Sequence, residues 1–253
     1  SLAEPCQASH TPDHPLGYSR GWSGGGEGWQ GPTNNTTETT MKLVGRYTSP
    51  YVRRVAVTLL TYGMDFELEE LLPFGDDKAE VRKFNPLGRI PALILEDGET
   101  IVESATIIDC LDDLAGPARA LTPPSGAERR RVLNLLAVAS GATDKLVSSL
   151  YEHHLRPPEM VHRPWAKMCD RQAVDGFQWL EQQLQGEWFM GDRMTQADLT
   201  AAVFWQFGVE KRPNFFARMD CPKLTALSDR LASTEPFMAT PQGEGLPKGI
   251  ALE

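Results

Sequence analysis

Cysteine is scarce in this chain. Among 253 residues there are four, Cys6, Cys110, Cys169 and Cys221, and no two form a Cys-x-x-Cys pair. That spacing excludes a zinc ribbon and a disulfide framework, so no metal is expected and a reducing, cytoplasmic location is. Long apolar runs are missing as well. No stretch approaches the roughly 18 residues that a membrane-spanning helix needs, so no membrane partner is expected. Basic charge is in deficit, with 25 Lys and Arg against 34 Asp and Glu, a formal net charge of −9. A nucleic-acid partner requires clustered Lys and Arg, and none is expected here. What is present is apolar substance. At 41% hydrophobic residues the chain can build a core, and its length suits one large domain or two modest ones.

Residues 1–40 lack periodicity of either kind. They are dominated by Gly, Pro, Ser, Thr and Asn, as in "GYSRGWSGGGEGWQGPTNNTTETT", and bury too little apolar surface to offset chain entropy. A disordered extension is expected there, either non-native or upstream of a natural start at Met41, with Ser1-Leu2 as a cloning remnant. Cys6, His10 and His14 stand four apart, a metal-binding spacing on a helix, but Pro5, Pro12 and Pro15 oppose a helix. Asn34 and Asn35 each head an Asn-x-Thr acceptor, which has meaning only in a secreted chain.

From Met41 the pattern changes. Met41 to Tyr47 reads as a strand. Pro50 suits a first helical turn, and Val52, Val55, Ala56, Leu59 and Leu60 then share one side of a helix that Gly63 caps. Asp65 to Leu72 alternates apolar and acidic residues like a half-exposed strand. A short helix over Asp76 to Phe84 follows, then a hairpin turning at Asp97-Gly98, then an amphipathic helix from Ser104 to Leu114. Pro123-Pro124-Ser125-Gly126 marks a boundary, beyond which only helical spacing appears. Helices start near Thr195 and Pro222, the first with a Thr195-x-x-Asp198 capping box and a Met194–Leu199 staple. The order β-α-β-α-β-β-α is that of an α/β thioredoxin-like N-terminal domain, followed by an all-α helical-bundle C-terminal domain. The expected boundaries are 41–117 and 125–242, with a tail over 243–253.

The first strand-to-helix corner, "YTSPYVRRV", poses a chemical question. A thioredoxin-type redox protein would carry Cys-Pro-Tyr-Cys there; this chain has Ser49 and Val52 in the cysteine positions. Ser49 precedes a helix N-terminus, where free N–H groups and the helix dipole favour an anion. A serine there is equally a plain N-cap. Four stretches together, "SPYVRR", "NPLGRIPAL", "ESATI" and "GDRMTQADL", resemble the cytosolic-type glutathione transferases from Met41 to about Gln242. The likeness is strongest to small bacterial members carrying "TSPYVRR" after the first strand.

The resemblance implies a glutathione S-transferase, usually a homodimer and detoxifying, with glutathione as co-substrate and a small hydrophobic electrophile as acceptor. Ser49 would hold and acidify the glutathione thiol. The Ile90-Pro91 peptide would be cis and would pair the Ile90 backbone with the cysteinyl unit. Ser104 would take the γ-glutamyl carboxylate, Glu103 the ammonium group, and Arg89 the glycyl carboxylate; capping, solvated charge and a trans edge-strand proline are the plain alternatives. The capping box would be structural. The acceptor pocket would lie between Ser49 and the first long helix of the second domain. Its candidate lining is Tyr151, His154 and Trp165, with Leu146, Leu150 and Trp205 beside them, although such residues are more often packing or surface. Competing functions are a non-catalytic, protein-binding module of the stress-response type and a glutathione-dependent thiol-disulfide reductase. Ser49 excludes the mixed disulfide that the latter would form with a cysteine at this position. A maleylacetoacetate-isomerase-like role is disfavoured because its Ser-Ser-Cys corner is absent.

Overall fold

The computed structural model describes residues 40–243. The readings made for residues 1–39, including the Cys6, His10, His14 group, and for 244–253 lie outside the described residues. Strand β1 (Met41–Val44) leads through the corner into helix α1 (Pro50–Tyr62) and then β2 (Phe66–Glu69). A turn of 3-10 helix (Gly75–Asp77) runs into α2 (Lys78–Phe84). Strands β3 (Ala92–Ile94) and β4 (Thr100–Val102) form the hairpin, and α3 (Ser104–Ala115) closes this half. The sheet order is β2-β1-β3-β4, with β1 and β2 parallel and the other pairs antiparallel. This is the thioredoxin-like arrangement.

Both early strands are shorter than their patterns. β1 stops at Val44 because Gly45 takes φ 137°, and a Cβ there would stand 2.5 Å from Val52 Cγ2. Only glycine permits this sharp exit, which sets the corner directly over α1. β2 stops at Glu69, and the chain beyond it is drawn to the helical turn by the Leu72 N–H, which donates to Asp77 Oδ2 at 2.9 Å. The hairpin loop has three residues: Leu95 N–H donates to Glu99 O, and Gly98 sits at φ 88°. That is a type I turn closed by a left-handed residue, which the Asp97-Gly98 pair supplies.

The second half is all helix among the described residues: α4 (Gly126–His154), α5 (Arg163–Gln183), α6 (Gln196–Lys211), α7 (Pro213–Phe216), α8 (Pro222–Ala232) and α9 (Glu235–Met238). α6 is buried on nearly every side, and Leu199, Val203, Phe204 and Phe207 run through the core. Its start is fixed as the capping box requires. Thr195 N–H and Oγ1 donate to Asp198 Oδ2 at 2.7 and 2.8 Å, and Phe189 N–H donates to Asp198 Oδ1 at 2.8 Å. No described helix is long and apolar enough to cross a membrane.

α1 joins the two halves. Val52, Val55, Ala56 and Leu59 enter the sheet's core, while Val57 belongs to the helical core. Between them Arg53 and Arg54 are buried, at 4% and 3% exposure. Arg53 Nε donates to Thr240 O at 2.7 Å and its Nη1 to Gln206 Oε1 at 2.6 Å. Both arginines stack on helical-domain rings, Arg53 on Phe237 and Arg54 on Phe204.

The link from α4 to α5 is held by Glu152, which accepts the His162 N–H and Arg156 Nε, each at 2.8 Å. The backbone N–H first, and Arg156 with it, holds the Glu152 carboxyl below its usual range. Its folded value is thus depressed below the unfolded one, about 4.3. The stabilisation is present above that value and is lost as pH falls through the folded one. Urea unfolding from about pH 5 to about pH 3 is therefore expected to show the wild type losing its advantage over Glu152→Gln. Parallel curves would show that this carboxylate does not hold the link.

Candidate functional site

A cleft of about 490 Å³ opens where the two halves meet. The corner contributes Thr48, Ser49, Pro50 and Tyr51, the segment after β2 contributes Leu72, Pro73 and Phe74, and the loop before β3 contributes Gly88, Arg89 and Ile90. From the other half come Asp144, Val147, Ser148, Leu150 and Tyr151 of α4, and Phe207 of α6. The wall is mostly apolar with a few convergent polar groups, as small-molecule sites are.

Ser49 is the N-cap of α1, in extended backbone (φ −84°, ψ 122°). Its Oγ accepts the Val52 N–H at a long 3.4 Å. The hydroxyl proton is donated to no group among the described residues. Pro50 has no N–H, so Tyr51 offers the first free backbone donor of the helix beside it.

The other corner hydroxyl is committed. Tyr51 O–H donates to Asp144 Oδ1, and its ring packs edge-on against Phe204 at 5.6 Å. Burial first, then the Asp144 charge, raises the Tyr51 phenol far above its ordinary range, so it stays protonated. The sequence reading missed this pair, whose members lie 93 positions apart.

The Ile90-Pro91 bond is cis. Ile90 lines the cleft, and Pro91 is buried behind it. Asn85 Nδ2 holds the loop by donating to Arg89 O at 2.9 Å. The Arg89 side chain is 58% exposed and pairs with Glu103 Oε1 at 3.4 Å. Glu103 stands just before α3 at φ 66°, the sole non-glycine positive φ among the described residues. Ser104 follows, 3% exposed. It is not among the residues that line the cleft, and Arg54 Nη2 donates to its Oγ at 2.7 Å. Arg54 Nη1 reaches Ser140 Oγ at 3.2 Å, and its Nε is buried with no acceptor among the described residues. Burial lowers the Arg54 guanidinium to about 10, which leaves it charged at neutral pH. Arg54 was not singled out in the sequence; only its place in "VRR" beside the corner marked it.

Ser49, Arg89, Ile90 and Tyr151 thus meet in one cleft, with Glu103 at its edge through Arg89. Two acceptor candidates do not join them. His154 is the last residue of α4, exposed, its Nδ1 2.8 Å from Leu150 O. Trp165 opens α5, 38% exposed, under the Lys145 ammonium at 5.3 Å. Of the remaining candidates, Leu150 lines the cleft, whereas Leu146 and Trp205 are buried, Trp205 against Phe177 and Phe216. Phe74 was missed; it meets Tyr151 edge-on at 5.7 Å.

Known proteins share this architecture. GST-like protein YibF of Escherichia coli K12 is 40% identical over 112 residues, 44% of this chain. The match takes in 54% of that relative's own length, little more than half. A crystal structure of a glutathione S-transferase from Methylobacillus flagellatus KT with GSH bound is 27% identical, with a TM-score of 0.72, over 79% of this chain and 98% of that one. A second, from Methylobacterium radiotolerans in complex with glutathione sulfonate, is 27% identical with a TM-score of 0.76, over 84% and 100%. The pattern of the Glutathione S-transferase N-terminal domain matches residues 43–119, and that of the Glutathione S-transferase C-terminal domain matches 155–235. With both domains matched in order and the fold shared, the chain belongs to the glutathione S-transferase family.

Proposed function

We propose that the chain is a glutathione transferase that binds glutathione along the corner and cis-proline side of the cleft and activates its thiol at Ser49. The observation that carries this is the state of the two corner hydroxyls. Tyr51 has spent its proton on Asp144, whereas Ser49 keeps an undonated one at a helix N-terminus inside the cleft. A thiol with pKa near 8.5 is only about 3% ionised at pH 7. Lowering it by about two units takes roughly 2.7 kcal/mol of selective stabilisation of the thiolate. A hydrogen bond to a charged group contributes about 1.5–3 kcal/mol and a helix end about 0.3–1 kcal/mol, so the two reach that figure together. The thiol proton leaves to solvent, and the sulfur's electron pair attacks a small hydrophobic electrophile held against Val147, Leu150, Tyr151 and Phe207.

The rest of the tripeptide follows the edge of the thioredoxin-like half. The Ile90 backbone pairs with the cysteinyl unit as an added strand would. The γ-glutamyl carboxylate meets Ser104, whose hydroxyl accepts from Arg54 and keeps its own proton to donate. Glu103 takes the ammonium group, and Arg89 the glycyl carboxylate. Arg89 gives up its Glu103 pair to do so, and between groups this exposed the cost is under about 1 kcal/mol. The family's usual homodimer is part of this reading.

Calorimetric titration with glutathione tests it: saturable binding is expected, and its absence contradicts the proposal. Ser104→Ala is expected to raise the glutathione Kd about tenfold, since a hydrogen bond to a charged group is lost. The same change strips a partner from the buried Arg54 and lowers stability by about 1–3 kcal/mol. An unchanged Kd in a folded variant removes Ser104 from the site.

A further inference from the structure

The cleft carries little formal charge, and the buried Arg54 guanidinium interacts with Asp144 at longer than salt-bridge distance. Of the residues that line it, only Arg89 and Asp144 carry a formal charge, and Arg89 is already paired with Glu103. Asp144 lies on α4, in the half assigned above to the acceptor. Its Oδ1 accepts the Tyr51 hydroxyl, and its Oδ2 accepts from no donor among the described residues. No cation lies within salt-bridge distance of it there. Tyr51 is fixed between Phe204 and Asp144, which leaves one carboxylate oxygen open at an apolar cleft wall. An open anionic acceptor in such a wall distinguishes ligands by charge more than by shape.

We propose that Asp144 is a specificity-determining residue, selecting small electrophiles that are cationic or carry an N–H or O–H donor and disfavouring anionic ones. This rests on the reading of the cleft as a glutathione transferase site. With a benzyl chloride, for example, the glutathione sulfur forms a bond to the benzylic carbon as the C–Cl bond breaks. Chloride leaves with the electron pair and the thiol proton passes to solvent. A positive group on the ring then meets the open Asp144 oxygen, and a negative one is repelled by it.

The experiment compares binding of three finished conjugates, so that it does not depend on turnover: S-benzylglutathione, its 4-carboxy analogue and its 4-trimethylammonio analogue. In the wild type the cationic conjugate is expected to bind about tenfold more tightly than the anionic one, as for a single partly screened charge. Asp144→Asn keeps an acceptor for Tyr51 but removes the charge, and is expected to bring the two within about twofold. Tyr51→Phe removes the hydrogen bond, leaves the carboxylate, and is expected to preserve the charge order. Benzyl conjugate binding with no charge preference, or a preference unchanged in Asp144→Asn, overturns the assignment while the glutathione reading stands. Binding of none of the three overturns the glutathione reading and the assignment with it.

Discussion

Ser49→Ala is expected to remain folded and to lose about 10²–10³-fold in glutathione-conjugating turnover, the range seen when one donor to a developing or held anion is removed. The two effects separate because the hydroxyl does little for the fold. As a cap it accepts one N–H at 3.4 Å, a long bond, so its removal costs no more than about 1 kcal/mol. As a donor to a thiolate its proton has no other use in the cleft. Tyr51 does not replace it, because its single proton is held by Asp144. The check is kcat/KM towards a neutral benzyl halide beside urea unfolding of the same samples. Equal turnover by variant and wild type would refute activation by the serine. A collapse of both turnover and stability would make Ser49 a structural cap.

Asp198→Ala is expected to cost the most stability, about 3 kcal/mol or more. The side chain is fully buried and accepts three hydrogen bonds, from Phe189 N–H, Thr195 N–H and Thr195 O–H. Alanine leaves these donors without an acceptor inside the protein, and each such orphan costs about 1–3 kcal/mol, partly relieved by relaxation. Asp198→Asn, which keeps one acceptor oxygen, is expected to fall between. The effect should spread beyond the loop, since α6 touches the sheet half through Gln196, whose Nε2 donates to Thr58 Oγ1 at 3.0 Å. Urea unfolding followed by circular dichroism measures this. A loss below about 1 kcal/mol would show that the box adds no more than an ordinary surface cap.

What the sequence disclosed was local. Pro50 after Ser49, Gly63 after Tyr62, Asp97-Gly98 between two apolar runs and Thr195-x-x-Asp198 each state a backbone geometry within a few residues, and the fold contains all four. The element order followed from them, and with it the thioredoxin-like half and the helical half. The cis bond before Pro91 came from family resemblance, because no local pattern around Pro91 distinguishes the two isomers.

What stayed hidden was tertiary. Arginine is mostly exposed in proteins, yet Arg53 and Arg54 are buried because α1 is covered by the sheet on one side and by α6 and α9 on the other. Asp144 and Tyr51 carry no shared signal across 93 positions. His154 is a pocket candidate as a residue of the first long helix. It does follow Val147 and Tyr151 along α4, but it stands at the helix end, past the cleft, and is solvated. Trp165 lies on α5, which contributes no lining residue to the cleft, an outcome of packing that the sequence does not record.

The most direct test of the central claim is the ionisation of the glutathione thiol while bound, followed by ultraviolet difference spectra across pH. A midpoint about two units below that of the free thiol is expected in the wild type, and one returned most of the way in Ser49→Ala. A bound thiol that titrates like the free one, in both proteins alike, would contradict the claim and leave the cleft as a binding site without this chemistry.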